Sequence, residues 1–251
     1  MLRSELQEYI NELLNVEQIR DYCPNGLQVE GREQIQTIVT GVTASQALLD
    51  RAVKLHADAI LVHHGYFWKS EPDVIVGMKQ RRIKTLLQAD INLFAYHLPL
   101  DVHSDLGNNA QLAKLFGWGT PQPLHTVEPL GIVMGCTLAE PMDSVALGQH
   151  IERCLQRPLT VRLDCPQEIR RIAWCTGGGQ NYIDHAAAAG FDAFLSGEIS
   201  EQTTHSAREQ ELAYFAAGHH ATERYGIKAL GEHLAERFGL THHFIDIENP
   251  A

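Results

Sequence analysis

The sequence predicts an α/β protein made of two related α/β parts with mixed, partly parallel sheets. Three observations carry that prediction. Short apolar runs alternate with helix-patterned segments from Ile35 onward, which is the grammar of β-α-β units. A stretch beginning at Ile38 returns at Ile172 with a constant offset of 134, and 7 of 24 positions are identical, among them Gln46/Gln180, Asp50/Asp184 and Asp58/Asp192. Histidines and carboxylates also recur just past the apolar runs in both halves.

The elements follow in order. MLRSELQEYINELL reads as an amphipathic helix, and Pro24-Asn25-Gly26 in DYCPNGLQVEG as a turn or loop. Ile35 to Gly41 reads as a strand, Ala44 to Ala57 as a helix, and DAILVHH as the next strand. IKTLLQAD is a helix, INLFAYHLPLD a strand running into a loop, and Asp105 to Phe116 a further helix. GWGTPQPLHTVEP, with two glycines and three prolines, marks a boundary near residue 125, giving domains 1–125 and 126–251. In the second half Ser144 to Leu155 is a helix, Ile169 to Cys175 a strand and TGGGQ a loop. NYIDHAAAAG, DAFLSGE, QTTHSAREQE and LAYFAAGHH then alternate helix and strand. TERYGIKALGEHLAERFG is a helix and LTHHFIDI a last strand, a pair able to pack across the boundary.

Composition narrows the function classes. A chain of 251 residues with 44% hydrophobic residues can bury sizeable cores. The formal net charge of -11 argues against a broad nucleic-acid-binding surface, although a local basic patch is compatible with it. No apolar run approaches the ~20 residues of a membrane span, and the first helix lacks the apolar core of a secretory signal. A cytoplasmic protein is expected. Five cysteines without a C-x-x-C pair predict buried free thiols, not a disulfide or zinc-knuckle framework.

Histidine is the unusual residue, with 14 copies. His63 and His64 end the run AILV. FAYH and AAGH align at a new offset of 122, placing His97 opposite His219 and Asp101 opposite Glu223. Loops at the carboxyl ends of parallel strands are where ligand chemistry gathers. Adjacent residues of an extended strand face opposite ways, so His63 and His64 need a bend at Gly65 to reach one ion, or else serve two. Imidazoles with carboxylates suit Zn, Fe, Mn or Ni, and six donors exceed one tetrahedral site. Two ions there would lower the pKa of a water between them.

The bland reading assigns any one histidine to the surface or to a hydrogen bond, and His220, His242 and His243 stay under it. Glu198 takes the place of His64 under the 134 offset and reads as a hydrogen-bond partner of a ligand or a proton carrier, with His205 able to join it. The backbone amides of TGGGQ, between a strand and a helix, could hold a phosphate or carboxylate, but the loop lacks the dinucleotide fingerprint and the Walker lysine and is weak as a nucleotide signal. Phe67 to Pro72 could wall a site, but packing is its default role.

DYCPNGLQVEG, TGVTASQALLD, LVHHGYFWK, YHLPLDVHSDLGNN, WCTGGGQ, SGEISEQTTHSAREQ and AGHHATERYG together resemble the GTP cyclohydrolase 1 type 2 homologue family, the YbgI-type proteins, across essentially the whole chain. The resemblance implies two related α/β parts with a dinuclear metal site between them. It carries ligand roles onto His63, His64, Asp101, His219 and Glu223, with His97 a ligand or a neighbour of one. It further implies a toroidal homohexamer, a trimer of dimers, around an internal cavity. Some longer relatives insert a domain between the halves, for which this chain has no room. Three functions stand side by side. One is a metal-dependent hydrolase of a small nucleotide or heterocycle, with Glu198 or His97 moving protons. The second is a non-catalytic metal-binding protein or metallochaperone, and the third a ring-forming scaffold stabilised by metal.

Overall fold

The computed structural model describes residues 1–251. In chain order the helices and strands are α1 (Arg3–Leu13), β1 (Gly26–Val29), β2 (Thr37–Thr43), α2 (Gln46–Lys54), β3 (Ala59–His64), α3 (Gly77–Ala89), β4 (Asn92–Ala95) and α4 (Leu98–Val102). They continue with α5 (Asn108–Phe116), β5 (Gln122–Pro123), β6 (Met134–Met142), α6 (Ser144–Leu155), β7 (Val161–Leu163), β8 (Ile169–Cys175) and α7 (Ile183–Ala188). Last come β9 (Ala193–Ser196), α8 (Glu201–Glu209), β10 (Ala213–Ala216), α9 (His219–Thr222), α10 (Arg224–Phe238) and β11 (Thr241–Phe244). No helix is long and apolar enough to cross a membrane.

The protein is mixed α/β, with one sheet in each of two compact units. The first unit comprises residues 1–100 and 226–248, the second residues 101–225 and 249–251. The division falls at Leu100, not at the glycine- and proline-rich stretch near residue 125. That stretch lies inside the second unit. Phe116 and Trp118 are buried in its core, and Gln122 and Pro123 pair with Gly135 and Met134 at its sheet edge. The final helix and strand, α10 from Gly226 on and β11, belong to the first unit.

The first sheet has the order β1-β4-β3-β2-β11. Its four strands β4, β3, β2 and β11 are mutually parallel, and β1 closes one edge antiparallel. AILV of β3 is buried throughout, as a central parallel strand covered on both faces requires. The core joins Val39, Ile60, Val62 and Leu93 of the sheet to Leu48, Leu49 and Leu86 of the helices. Each such side chain contributes roughly 1.5–3 kcal/mol on burial. Ser45 accepts a hydrogen bond from the Leu48 amide and so starts α2 where β2 ends.

The second sheet has the order β5-β6-β8-β9-β10-β7. Its β8, β9 and β10 are parallel, while β5, β6 and β7 pair antiparallel around them. Trp174, Trp118, Ile151 and Phe215 fill its core. Asp143 and Ser200 cap α6 and α8.

The repeat is visible in both units. β2-α2-β3 and β8-α7-β9 have the same connectivity and register, Ile38 pairing with Ala59 and Ile172 with Ala193. The matched aspartates do the same work. Asp58 accepts from the amides of Gln36 and Thr37, and Asp192 accepts from the amides of Arg170 and Arg171, in each case at the start of the neighbouring strand. An ionised carboxylate bonded to two amides in partly exposed surroundings contributes about 1–2 kcal/mol. Asp58→Ala and Asp192→Ala should each lower stability by about that amount, read as a lower urea midpoint at unchanged slope.

His242 and His243 lie on β11, beside Ile38 and Val39 of β2. Nε2 of His242 is 2.7 Å from Oγ1 of Thr40. Burial first, then His243 and Lys228, pull His242 down from 6.5 to about 4. The unfolded chain therefore takes up this proton before the folded one does. The stabilisation is complete above pH 6.5 and drains away as pH falls toward 4. Melting curves should show a drop of roughly 2–8 °C across that window, about 1–2 kcal/mol for a ring partly screened by solvent. His242→Gln should remove that component.

Candidate metal centre

In the first unit, three histidines converge. His63 and His64 end β3, and His97 follows β4 by two residues. Their ring centroids lie 4.6 Å (His63–His64), 5.0 Å (His63–His97) and 5.8 Å (His64–His97) apart. Each offers a ring nitrogen, and the three nitrogens lie within 4.8 Å of one another. The adjacent pair thus does reach a common place. Gly65 makes the turn beyond it tight, because a Cβ there would overlap the Gln28 and Ala95 side chains. His63 is fully buried and His97 nearly so. Trp68 packs edge-on against His97 at 4.9 Å and lies 5.9 Å from His64, and Tyr22 lies 5.5 Å from His97. Of the segment Phe67 to Pro72, whose default role is packing, Trp68 is the residue that packs on these rings.

In the second unit the donors are carboxylates around one imidazole. His219 opens α9, and Glu223 follows that helix directly. Gly218, with φ near 99°, adds one residue between β10 and His219, whereas the fall in offset from 134 to 122 comes from a connection between β9 and β10 that is shorter than the one between β3 and β4. Nε2 of His219 lies 3.1 Å from Oε2 of Glu223, and Nδ1 lies 2.6 Å from Oε1 of Glu198. Glu223 is 3% exposed and Asp101 4%. Burial opposes a charge on His219, yet Glu223 and then Glu198 outweigh it and raise the ring to about 9. Asp101 accepts from Nδ2 of Asn108 at 2.8 Å and from the Thr176 hydroxyl at 3.3 Å.

TGGGQ does not behave as an anion cradle at its first glycine. The Gly177 amide donates to Oγ1 of Thr222, and its missing side chain makes room for Glu223, whose carboxylate a Cβ would overlap. Gly197 likewise admits the backbone of Gly177 and His219. His205 is exposed on α8, and His220 is nearly buried with its amide on the Ala251 carbonyl.

One feature is common to both units. His63 Nδ1 lies 3.0 Å from the Tyr96 carbonyl, His64 Nδ1 3.2 Å from the Thr43 hydroxyl, His97 Nδ1 2.9 Å from Asp21 and His219 Nδ1 2.6 Å from Glu198. A carbonyl or carboxylate only accepts, so His63, His97 and His219 carry a proton on Nδ1. Each of the four rings is anchored through Nδ1 and turns Nε2 away from its anchor, the arrangement in which metal-ligating histidines are held.

The Duf34/NIF3 (NGG1p interacting factor 3) family profile matches residues 1–250. The chain belongs to the Duf34/NIF3 family. It is 59% identical over 249 residues to a protein of Pseudomonas aeruginosa called GTP cyclohydrolase 1 type 2 homolog, covering 99% of this chain and 98% of that one. It is 58% identical over 252 residues to the Escherichia coli protein of the same name, covering 100% of both. Among solved structures, protein ybgI, described as of unknown function, is 56% identical with a TM-score of 0.95 over 100% of both chains. The protein TTHA1606 from Thermus thermophilus is 32% identical with a TM-score of 0.90, again over 100% of both. This Duf34/NIF3 chain therefore combines its family's α/β fold with clustered His, Asp and Glu side chains able to hold a metal ion.

Three contributors escape a reading of the sequence. Asp21 sits in a turn segment where a carboxylate is ordinary, and its partner His97 is 76 positions away. Asn108 and Thr176 reach Asp101 from a helix start and a glycine loop. Glu198 was reachable, because the repeat places it opposite His64.

Proposed function

We propose that this chain binds two divalent ions, Zn, Fe, Mn or Ni, and acts as a metal-dependent hydrolase on a small nucleotide or another heterocycle. The common Nδ1 anchoring of four histidines is the observation that carries the reading. The name borne by the 58–59% identical relatives supports the heterocyclic substrate class. His63, His64, Asp101, His219 and Glu223 would hold the ions, with His97 as a further ligand or proton carrier. Ions held by these residues would supply Lewis-acid activation of a substrate oxygen and of water.

The protein's own groups supply the rest. Tyr96, Thr43, Asp21 and Glu198 set the ring orientations before any ligand arrives, so little reorganisation accompanies binding. Glu198 is 44% exposed at its side chain and bonded to Nδ1 of His219, which suits it to exchange protons with solvent. Trp68 and Tyr22 shield His97 from water on their sides. The same reading includes a cytoplasmic homohexameric ring.

Elemental mass spectrometry of protein purified without tag or chelator tests the proposal. About two ions per chain are expected, and none in a His63→Ala, His219→Ala double variant. No uptake when Zn, Fe, Mn and Ni are each supplied would overturn the metal reading. Two ions without turnover on a nucleotide panel would leave a non-catalytic metal protein.

A further inference from the structure

The carboxylate that anchors His97 does more than accept one bond. Asp21 lies between α1 and β1, and its side chain is 3% exposed. Oδ1 accepts from His97 Nδ1 at 2.9 Å and from the Tyr22 amide at 2.7 Å. Oδ2 accepts from the Leu98 amide at 3.0 Å and from Asn25 Nδ2 at 2.9 Å. Asn25 completes the grip, its Oδ1 accepting from the His97 amide at 2.7 Å. One loop therefore holds the ring of His97, its backbone and the first amide of α4.

We propose that Asp21 is the positioning residue for His97, fixing the Nδ1–H form of the ring so that Nε2, not Nδ1, meets an ion. The proposal rests on the dinuclear reading above for its consequence, but the ring form itself does not. It also resolves a competition. Asp21, Cys23 and His97 form a second group whose donor atoms lie within 4.8 Å of one another. Carboxylate, thiolate and imidazole together would suit zinc or cobalt. Asp21 faces Nδ1, so an ion shared between Asp21 and His97 would have to displace the Nδ1 proton. It would also have to draw on a carboxylate that already accepts four hydrogen bonds. Asp21 thus keeps ions out of the Cys23 group while presenting His97 to the group it forms with His63 and His64.

Long-range proton–nitrogen NMR of histidine-labelled, metal-free protein tests this directly, at a pH where the ring is neutral. His97 should show a protonated Nδ1 and a bare Nε2. Asp21→Asn, whose amide both donates and accepts, should show mixed ring forms. Its cobalt(II) affinity should fall by roughly 10- to 100-fold, the usual effect of losing a partner of a ligand. Wild-type cobalt protein should lack a thiolate-to-cobalt charge-transfer band. A protonated Nε2 with bare Nδ1 in the wild type, an unchanged ring in Asp21→Asn, or a charge-transfer band lost in Cys23→Ser would overturn the proposal. If Asp21→Asn does not fold, the wild-type spectrum decides alone. If cobalt does not bind at all, the dinuclear reading fails, and the metal-free spectrum still decides the role of Asp21.

Discussion

Glu223→Gln should cut divalent-ion affinity by roughly 100-fold or more while leaving the fold intact. The substitution keeps shape and volume and removes only charge. Glu223 is 3% exposed, packs on Gly177 and faces Nε2 of His219 at 3.1 Å. Its charge is also the main support for the high proton affinity of His219. The variant ring should therefore lose its proton at lower pH, a change visible by NMR without any ion. Competition against a chromophoric chelator reads the affinity, and a melting curve of metal-free protein reads the fold. An unchanged affinity in a folded variant would remove Glu223 from the ligand set.

Gly177→Ala should damage the second unit's site through a single methyl group. Gly177 has φ near 59°, where a side chain costs about 1 kcal/mol. The new Cβ would overlap the Glu223 carboxylate, a near-buried group with Gly177 itself on one side. Overpacking of that kind adds roughly 1–3 kcal/mol. A total of about 2–4 kcal/mol corresponds to a melting temperature lower by roughly 4–16 °C for a chain of this size. Ion affinity should fall with it, because Glu223 has to move. Gly117→Ala is the control. Its φ is near 67°, but nothing lies within 4 Å of the Cβ position, so only the backbone term of about 1 kcal/mol applies. Equal losses in the two variants would show that the Glu223 contact is unimportant.

Much of this architecture is written in local patterns, and what is hidden is hidden for physical reasons. Buried parallel strands such as AILV and AFLS are continuous apolar runs, so β3 and β9 stand out, and the constant offset ties them together. The antiparallel strands at the margins are harder to see. β1 is four residues directly after a turn, β7 is three residues, and β6 contains Gly135 and Pro141 with an irregular register before Met142. Their pairing partners, not their own composition, make them strands. The loop expected after β4 is the short helix α4, whose first amide is held by Asp21. The histidines were legible because they follow apolar runs, His63 and His64 as a pair at the end of β3 and His97 and His219 just beyond β4 and β10. Asp21 was not, since a turn aspartate looks the same whether it faces solvent or a ring 76 residues onward.

The interrupted course of the first unit fixes an order of events during synthesis. Its edge strand β11 pairs with β2, Thr241 with Thr37, so that pairing waits until a segment some 200 residues farther along has left the ribosome, 241 minus 37 being 204. The second unit's sheet, by contrast, runs from Gln122 to Ala216 without leaving its own segment. Until residue 244 emerges, the β2 side of the first sheet is a bare parallel edge of the kind that recruits foreign strands. Nascent chains stalled before that point therefore carry that edge uncovered.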